Sequence, residues 1–235
     1  MGASGPGMST LNLWLLGWLL SARSFLDLGA GESLDAAREH IRGQEYWVLR
    51  DPARPTVPFR EARERGAIGY RVLIEVGLEA ELPTWVRTVG AVLDDPRGWK
   101  AAGRELVRVD ARERFVVLLA RPQTVDRLCR PLRTVGKYSC GRAGRASLNL
   151  TRWREGAAPW GEEIEGYRVY MINHEVGHLL GMPHQRCEGE GEPAAVMVQQ
   201  TMGLGGCEPS GWPAARELER LGARWNRLFG SEDSG

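Results

Sequence analysis

The run His174-Glu175-Val176-Gly177-His178-Leu179-Leu180-Gly181-Met182-Pro183-His184 reads H-E-x-x-H-x-x-G-x-x-H. On a helix, His174 and His178 stand four residues apart, so their side chains share one face, one turn above the other. Two imidazoles so placed can hold one zinc ion. Glu175 lies beside His174 and can serve a metal-activated water without being a ligand. Gly181 ends the helix, because glycine reaches left-handed backbone angles at little cost. The chain turns there, and His184 returns as a third ligand. Three protein ligands leave a fourth tetrahedral position open, the arrangement of a catalytic zinc site rather than a structural one. The chain holds four histidines, and three of them fall in this run.

These eleven residues resemble the zinc signature of the metzincin metallopeptidases. Metzincins also place a methionine in a tight turn below the metal, and Ala195-Val196-Met197-Val198 fits that pattern, with Met197 thirteen residues beyond His184. The wider run from about Tyr70 to Pro213 resembles an uncharacterised, secreted metallopeptidase-like family of high-GC Gram-positive bacteria. The segments that carry this likeness are Asp95-Pro96-Arg97-Gly98-Trp99, Asp126-Arg127-Leu128-Cys129, Asn173-His174-Glu175 and Val196-Met197-Val198-Gln199-Gln200-Thr201. The resemblance implies an α+β (mixed α/β) fold: a twisted mixed sheet, a zinc-binding helix, a Met-turn and a C-terminal helix. It also implies a structural role for Met197. No tyrosine follows Met197 closely, so the tyrosine that some metzincins use near the metal has no counterpart there.

A length of 235 residues allows one sizeable domain plus extensions, and 43% hydrophobic residues suffice for its core. The net charge of +1 implies no nucleic-acid footprint. Residues 1–30 read as a signal-like or anchoring segment around the apolar run 11–20, Leu-Asn-Leu-Trp-Leu-Leu-Gly-Trp-Leu-Leu. The run is short for a bilayer span and has the length of a signal-peptide core. No Lys or Arg precedes it and Arg23 follows, the reverse of the usual charge order, so an internal hydrophobic helix is the other reading. Residues 31–66 read as a linker or pro-segment, with a short helix over 33–41 on the spacing of Leu34, Ala37 and Ile41. His40 there reads as a solvated residue rather than a ligand.

The peptidase-like domain is expected over 67–230. Tyr70 to Val76 alternates as a strand, and Leu82 to Leu93 carries a helical apolar stripe. Glu105 to Val109, Phe115 to Ala120 and Ser147 to Leu150 read as strands, and Gly136 to Cys140 as an edge strand. The histidine helix is expected to begin near Gly161, and a last helix to run from Ser210 to about Phe229. Trp153 and Trp160 suit either a core or a cleft wall.

Cys129, Cys140, Cys187 and Cys207 allow three pairings. The sequential one closes two short loops, the second of which encircles Met197. Without a C-x-x-C spacing, a thiolate metal set is the weaker reading. Bridges imply an oxidising compartment.

The expectation is therefore a monomeric, secreted or envelope-associated, Zn2+-dependent endopeptidase acting on a peptide or protein, anchored to a membrane if residues 11–20 are retained. His174, His178 and His184 bind the metal, and Glu175 handles the proton. Two alternatives share these residues: an envelope-associated binding protein with a non-catalytic zinc, and a zinc amidase acting on cell-wall peptides. An open fourth metal position would separate the enzyme readings from the binding protein.

Overall fold

The computed structural model describes residues 24–27, 33–41, 44–50 and 56–229. The apolar run at 11–20 and the tail beyond 229 lie outside the described residues, so the anchoring expectation concerns a stretch not described. The strands are β1 (Ser24–Asp27), β2 (Ser33–Ile41), β3 (Gln44–Arg50), β4 (Ile68–Glu75), β5 (Leu106–Arg108), β6 (Phe115–Ala120), β7 (Cys140–Arg142) and β8 (Arg145–Asn149). The helices are α1 (Phe59–Glu64), α2 (Leu82–Asp94), α3 (Pro122–Leu128), α4 (Leu150–Glu155), α5 (Ile164–Leu179) and α6 (Ala215–Phe229). Together they make a mixed α+β fold.

One mixed sheet runs in the order β1-β2-β3-β4-β6-β8-β7, with β5 pairing beside β4. Its centre is parallel: Val72 of β4 faces Val117 of β6, and Leu118 of β6 faces Ser147 of β8. Both outer wings are antiparallel. Central parallel strands are covered on both faces, so β6 is the continuous apolar run Phe-Val-Val-Leu-Leu-Ala, buried throughout. Its side chains alternate between two cores. Val117 and Leu119 join the large cluster formed with α2 and α5, whereas Val116, Leu118 and Ala120 pack with Val125 and Leu128 of α3. The Trp85 indole fixes α2 to the sheet by donating to the Leu73 carbonyl at 2.9 Å. Trp153 meets Trp85 edge-on at 5.0 Å, and both Trp153 and Trp160 belong to this core.

Residues 33–41 are a strand, not the expected short helix. They pair along their length with β3, from Asp35↔Arg50 to Ile41↔Gln44, and β3 pairs with β4. Tyr46, Trp47 and Leu49 of β3 are buried, so tertiary pairing outweighs a three-residue helical spacing. Within the stretch read as a linker or pro-segment, residues 33–41 and 44–50 contribute strands to the sheet. His40 sits exposed beside Glu45, 3.7 Å away.

Other boundaries shift for local reasons. The edge strand is Cys140–Arg142 rather than Gly136–Cys140, because Gly136 and Val135 take positive φ and the chain turns there. α5 starts at Ile164, after a tight turn over Ala158–Trp160 and a positive φ at Gly161. The strand expected over 147–150 is Arg145–Asn149, and Asn149 caps α4 by accepting from Thr151 and Arg152. α6 begins beyond Pro213, at Ala215.

The cysteines pair sequentially, Cys129–Cys140 and Cys187–Cys207. The first bridge ties the end of α3 to β7. The second closes the loop that carries Met197.

Candidate metal centre

α5 supplies His174, Glu175 and His178 from a stretch that is buried nearly all round. The helix stops where expected. Gly181 has φ 88°, and the Met182 amide reaches back to the Gly177 carbonyl at 2.9 Å, a left-handed glycine stop. The positive φ is what requires glycine there; the Arg224 guanidinium packs over the bare Cα and donates to the Gly181 carbonyl at 3.0 Å. The chain then reverses and brings His184 back to the helix.

The three rings converge. Ring centroids lie 4.9 Å apart for His174 and His178, 5.3 Å for His174 and His184, and 4.5 Å for His178 and His184. One nitrogen from each lies within 4.8 Å of the others. The tautomers follow from the partners. His174 Nδ1 lies 2.8 Å from the Val196 carbonyl, and His178 Nδ1 lies 3.1 Å from the Met182 carbonyl. A carbonyl only accepts, so each Nδ1 carries the proton and each Nε2 presents a lone pair. His178 Nε2 and His184 Nε2 are 3.0 Å apart. At that distance His184 Nε2 either donates to the His178 lone pair or turns its own lone pair, with that of His178, toward a shared cation. A tetrahedral ion with bonds of about 2.05 Å sets its ligands about 3.3 Å apart. The donor set therefore fits a metal, and the carbonyl partners orient the rings as metal-binding histidines require.

The electrostatics agree. Burial, reinforced by His178, pushes His174 down to about 3, and burial beside His184 pushes His178 down to about 4, so both are neutral at pH 7, the state in which an imidazole can take a metal. Burial also lowers His184. Glu175 is pushed the other way. Burial raises its carboxyl to about 8, against one backbone N–H, from Gly141, that favours the ionised form.

Met197 is fully buried directly beneath the ligand helix. A Cβ on Gly177 would fall 2.4 Å from its sulfur and 2.7 Å from the Trp99 ring, so the glycine admits both groups. Trp99 Nε1 also donates to the Asn173 carbonyl at 2.9 Å. The Asn173 amide donates to Gly211 at 2.9 Å. The segment after His184 is tied to the methionine turn, since the Gln185 amide donates to the Met197 carbonyl at 2.9 Å.

Three contributors had no role in the sequence reading, although Gln200 lies in a segment that carries the resemblance. Glu217 of α6, fully buried, accepts from the amides of Val196 at 3.0 Å, Met197 at 2.9 Å and Ala214 at 2.8 Å, and from the Gln185 side chain at 3.1 Å. Gln200, also fully buried, bonds Ala195 and Ser210 and receives the Ser210 amide. Gly141 of β7 lies so close to α5 that a Cβ would come within 2.0 Å of the Glu175 carbonyl oxygen. In the sequence, Glu217 lies among charged residues of an amphipathic helix and Gly141 is one of 30 glycines, so neither carries a signal.

The histidines open onto a cleft of about 380 Å³. Its floor is Tyr170, His174, Glu175 and His178. Its walls are residues 132–134 and 138–141 from the first bridged segment, and Gln199, Thr201 and Met202 from the second. Among the described residues, these three histidines form the one cluster able to hold a metal ion, with no fourth His, Cys, Asp or Glu ligand in it.

The fold and site define a mixed α+β protein with a three-histidine centre, able to hold a metal, at the head of an open cleft. Residues 54–210 match the family described as "Protein of unknown function (DUF3152)", and the chain belongs to that family. Neither the curated proteins nor the solved structures contain a match to it.

Proposed function

We propose that this chain is a zinc-dependent endopeptidase of metzincin type. The observation that carries the reading is the convergence of three imidazoles, with Nε2 lone pairs at His174 and His178, beside the buried Glu175 carboxyl group on an open cleft. A centre kept only for stability or recognition has no use for Glu175 at that position, nor for an open fourth corner. The Met197 turn below the ligands and the α6 packing around it agree with the metzincin resemblance.

His174, His178 and His184 would hold the ion. Zinc, when bound, acts as a Lewis acid toward a carbonyl and brings the pKa of water to about 7. Glu175 then does the proton work. Its carboxylate lines the cleft one residue from His174 and is oriented by the Gly141 amide. A cation nearby favours its ionised form and offsets the effect of burial. It takes a proton from the attacking water and passes it to the leaving amine. His174 and His178 keep their Nδ1 protons on backbone carbonyls and so stay in the ligating tautomer.

Two disulfides fit an oxidising compartment, and with the apolar run at 11–20 they support a secreted or envelope-bound protein. Among the described residues, no helix is long and apolar enough to cross a membrane.

The test is Glu175→Gln. The variant should bind one zinc per chain, as wild type does, and lose hydrolysis of a denatured protein by at least about a hundredfold, the scale of a lost general base. Peptidase activity undiminished in that variant would overturn the mechanism.

A further inference from the structure

Leu132, Val135, Met202 and Leu228 are the large apolar side chains most exposed among the described residues, at 53%, 55%, 62% and 59%. Three of the four belong to the two bridged segments that wall the cleft. Leu132 and Val135 fall between Cys129 and Cys140, and Met202 falls between Cys187 and Cys207. Leu132 and Met202 line the cleft itself. Exposed apolar groups gathered at one opening mark a binding surface, whereas scattered ones do not.

Both segments are also pinned in place: the Leu132 amide donates to the Cys129 carbonyl at 3.0 Å, and polar anchors follow in each segment. Asp126 of α3 accepts from the Thr134 hydroxyl and from the Gly136 amide at 2.8 Å. Val135, pinned between them, has φ 47°, a region that a β-branched residue rarely enters. Nothing in the core rewards that strain, because Val135 points to solvent. In the second segment Gln200 is buried and bonded on both ends of its amide, and Thr201 meets the Tyr167 hydroxyl at 2.9 Å. That leaves Met202 to project. The rim is preorganised, so an apolar ligand need not order it. Among the described residues, Arg133 is the exposed charged side chain of the cleft walls, so the walls disfavour a basic ligand.

We propose that Leu132 and Met202 form an apolar rim that selects extended peptides with bulky apolar side chains flanking the bond over the histidines. The claim rests on the peptidase reading for its substrate, but the binding surface can be tested without turnover. In a Glu175→Gln background, which leaves peptides intact, fluorescein-labelled Gly-Ser-Leu-Leu-Ser-Gly and Gly-Ser-Ser-Ser-Ser-Gly are titrated and followed by anisotropy. The leucine peptide should bind about tenfold more tightly, and adding L132S and M202S together should erase that difference, the scale expected for two partly buried apolar contacts. Both positions are exposed, so the substitutions leave the core untouched, which circular dichroism checks. Equal affinity for the two peptides, or a preference that survives L132S and M202S, overturns the proposal. Hydrolysis by the unsubstituted chain is scored separately. A leucine preference without hydrolysis sinks the peptidase reading and keeps the rim, and hydrolysis without the preference does the reverse.

Discussion

At the scale of single residues, the centre is a balance of groups pushed off their ordinary pKa values in opposite directions. His174 and His178 are driven down, to about 3 and about 4, and Glu175 is driven up, to about 8. In metal-free protein this predicts a distinctive pH dependence. Depressed histidines favour the fold above their ordinary value of about 6.5, and that support is lost as pH falls from there. A raised carboxyl favours the fold below its ordinary value of about 4.3, and that support is lost as pH climbs toward 8. Between pH 6.5 and 8 the carboxyl acts while the histidines are silent, so the melting temperature of the metal-free chain should fall across that interval. Metal-free Glu175→Gln should lack the fall and melt at least about 3 °C higher at pH 8, the shift that about 1 kcal/mol produces in a domain of this size. A wild-type melting curve flat from pH 6.5 to 8 would show that Glu175 is not held in a dry site.

At the scale of elements, the ligand helix works because α6 and the methionine turn are locked to it. The Glu217 carboxylate gathers three backbone amides, and Val196, whose amide it takes, offers its carbonyl to His174. Removing that carboxylate strands several buried donors. Glu217→Ala should destabilise the protein by roughly 3 kcal/mol or more, read by urea denaturation, since each unsatisfied buried amide costs about 1–3 kcal/mol. It should also weaken zinc binding by about tenfold or more, because the carbonyl that orients His174 loses its support. Unchanged zinc affinity in a folded Glu217→Ala protein would place α6 outside the metal site. This linkage was invisible in the sequence, because a lone glutamate on a polar helix face announces no partner. The histidine run was legible for the opposite reason: its ligands are local, spaced by one helical turn and one glycine stop. The strand over 33–41 shows the same limit. Its pairing with β3 is non-local, and the three-residue spacing of Leu34, Ala37 and Ile41 pointed to a helix instead.

At the scale of the whole molecule, a parallel sheet centre, legible in the continuous apolar run of β6, carries the ligand helix on one face and α3 on the other. Two bridges then hold the cleft walls, one from each bridged segment. The four cysteines were plain in the sequence, but which pair meets depends on chain geometry that composition does not encode. Breaking the bridges should loosen the walls before the core. Full reduction should cost roughly 2–3 kcal/mol per bridge by the loop-entropy argument. It should also weaken peptide binding more than zinc binding, because the histidines sit on α5 and its glycine turn, outside both loops. Equal loss of the two on mild reduction would mean that the bridges support the metal site itself.

The most direct measurement strips the full chain with a chelator, returns zinc in measured equivalents and follows cleavage of a denatured protein by mass spectrometry. The predicted result is loss of cleavage in the stripped protein and full recovery at one equivalent. A chain that takes up one zinc at the three histidines and still cuts no peptide bond, or one that cuts equally well without metal, contradicts the account.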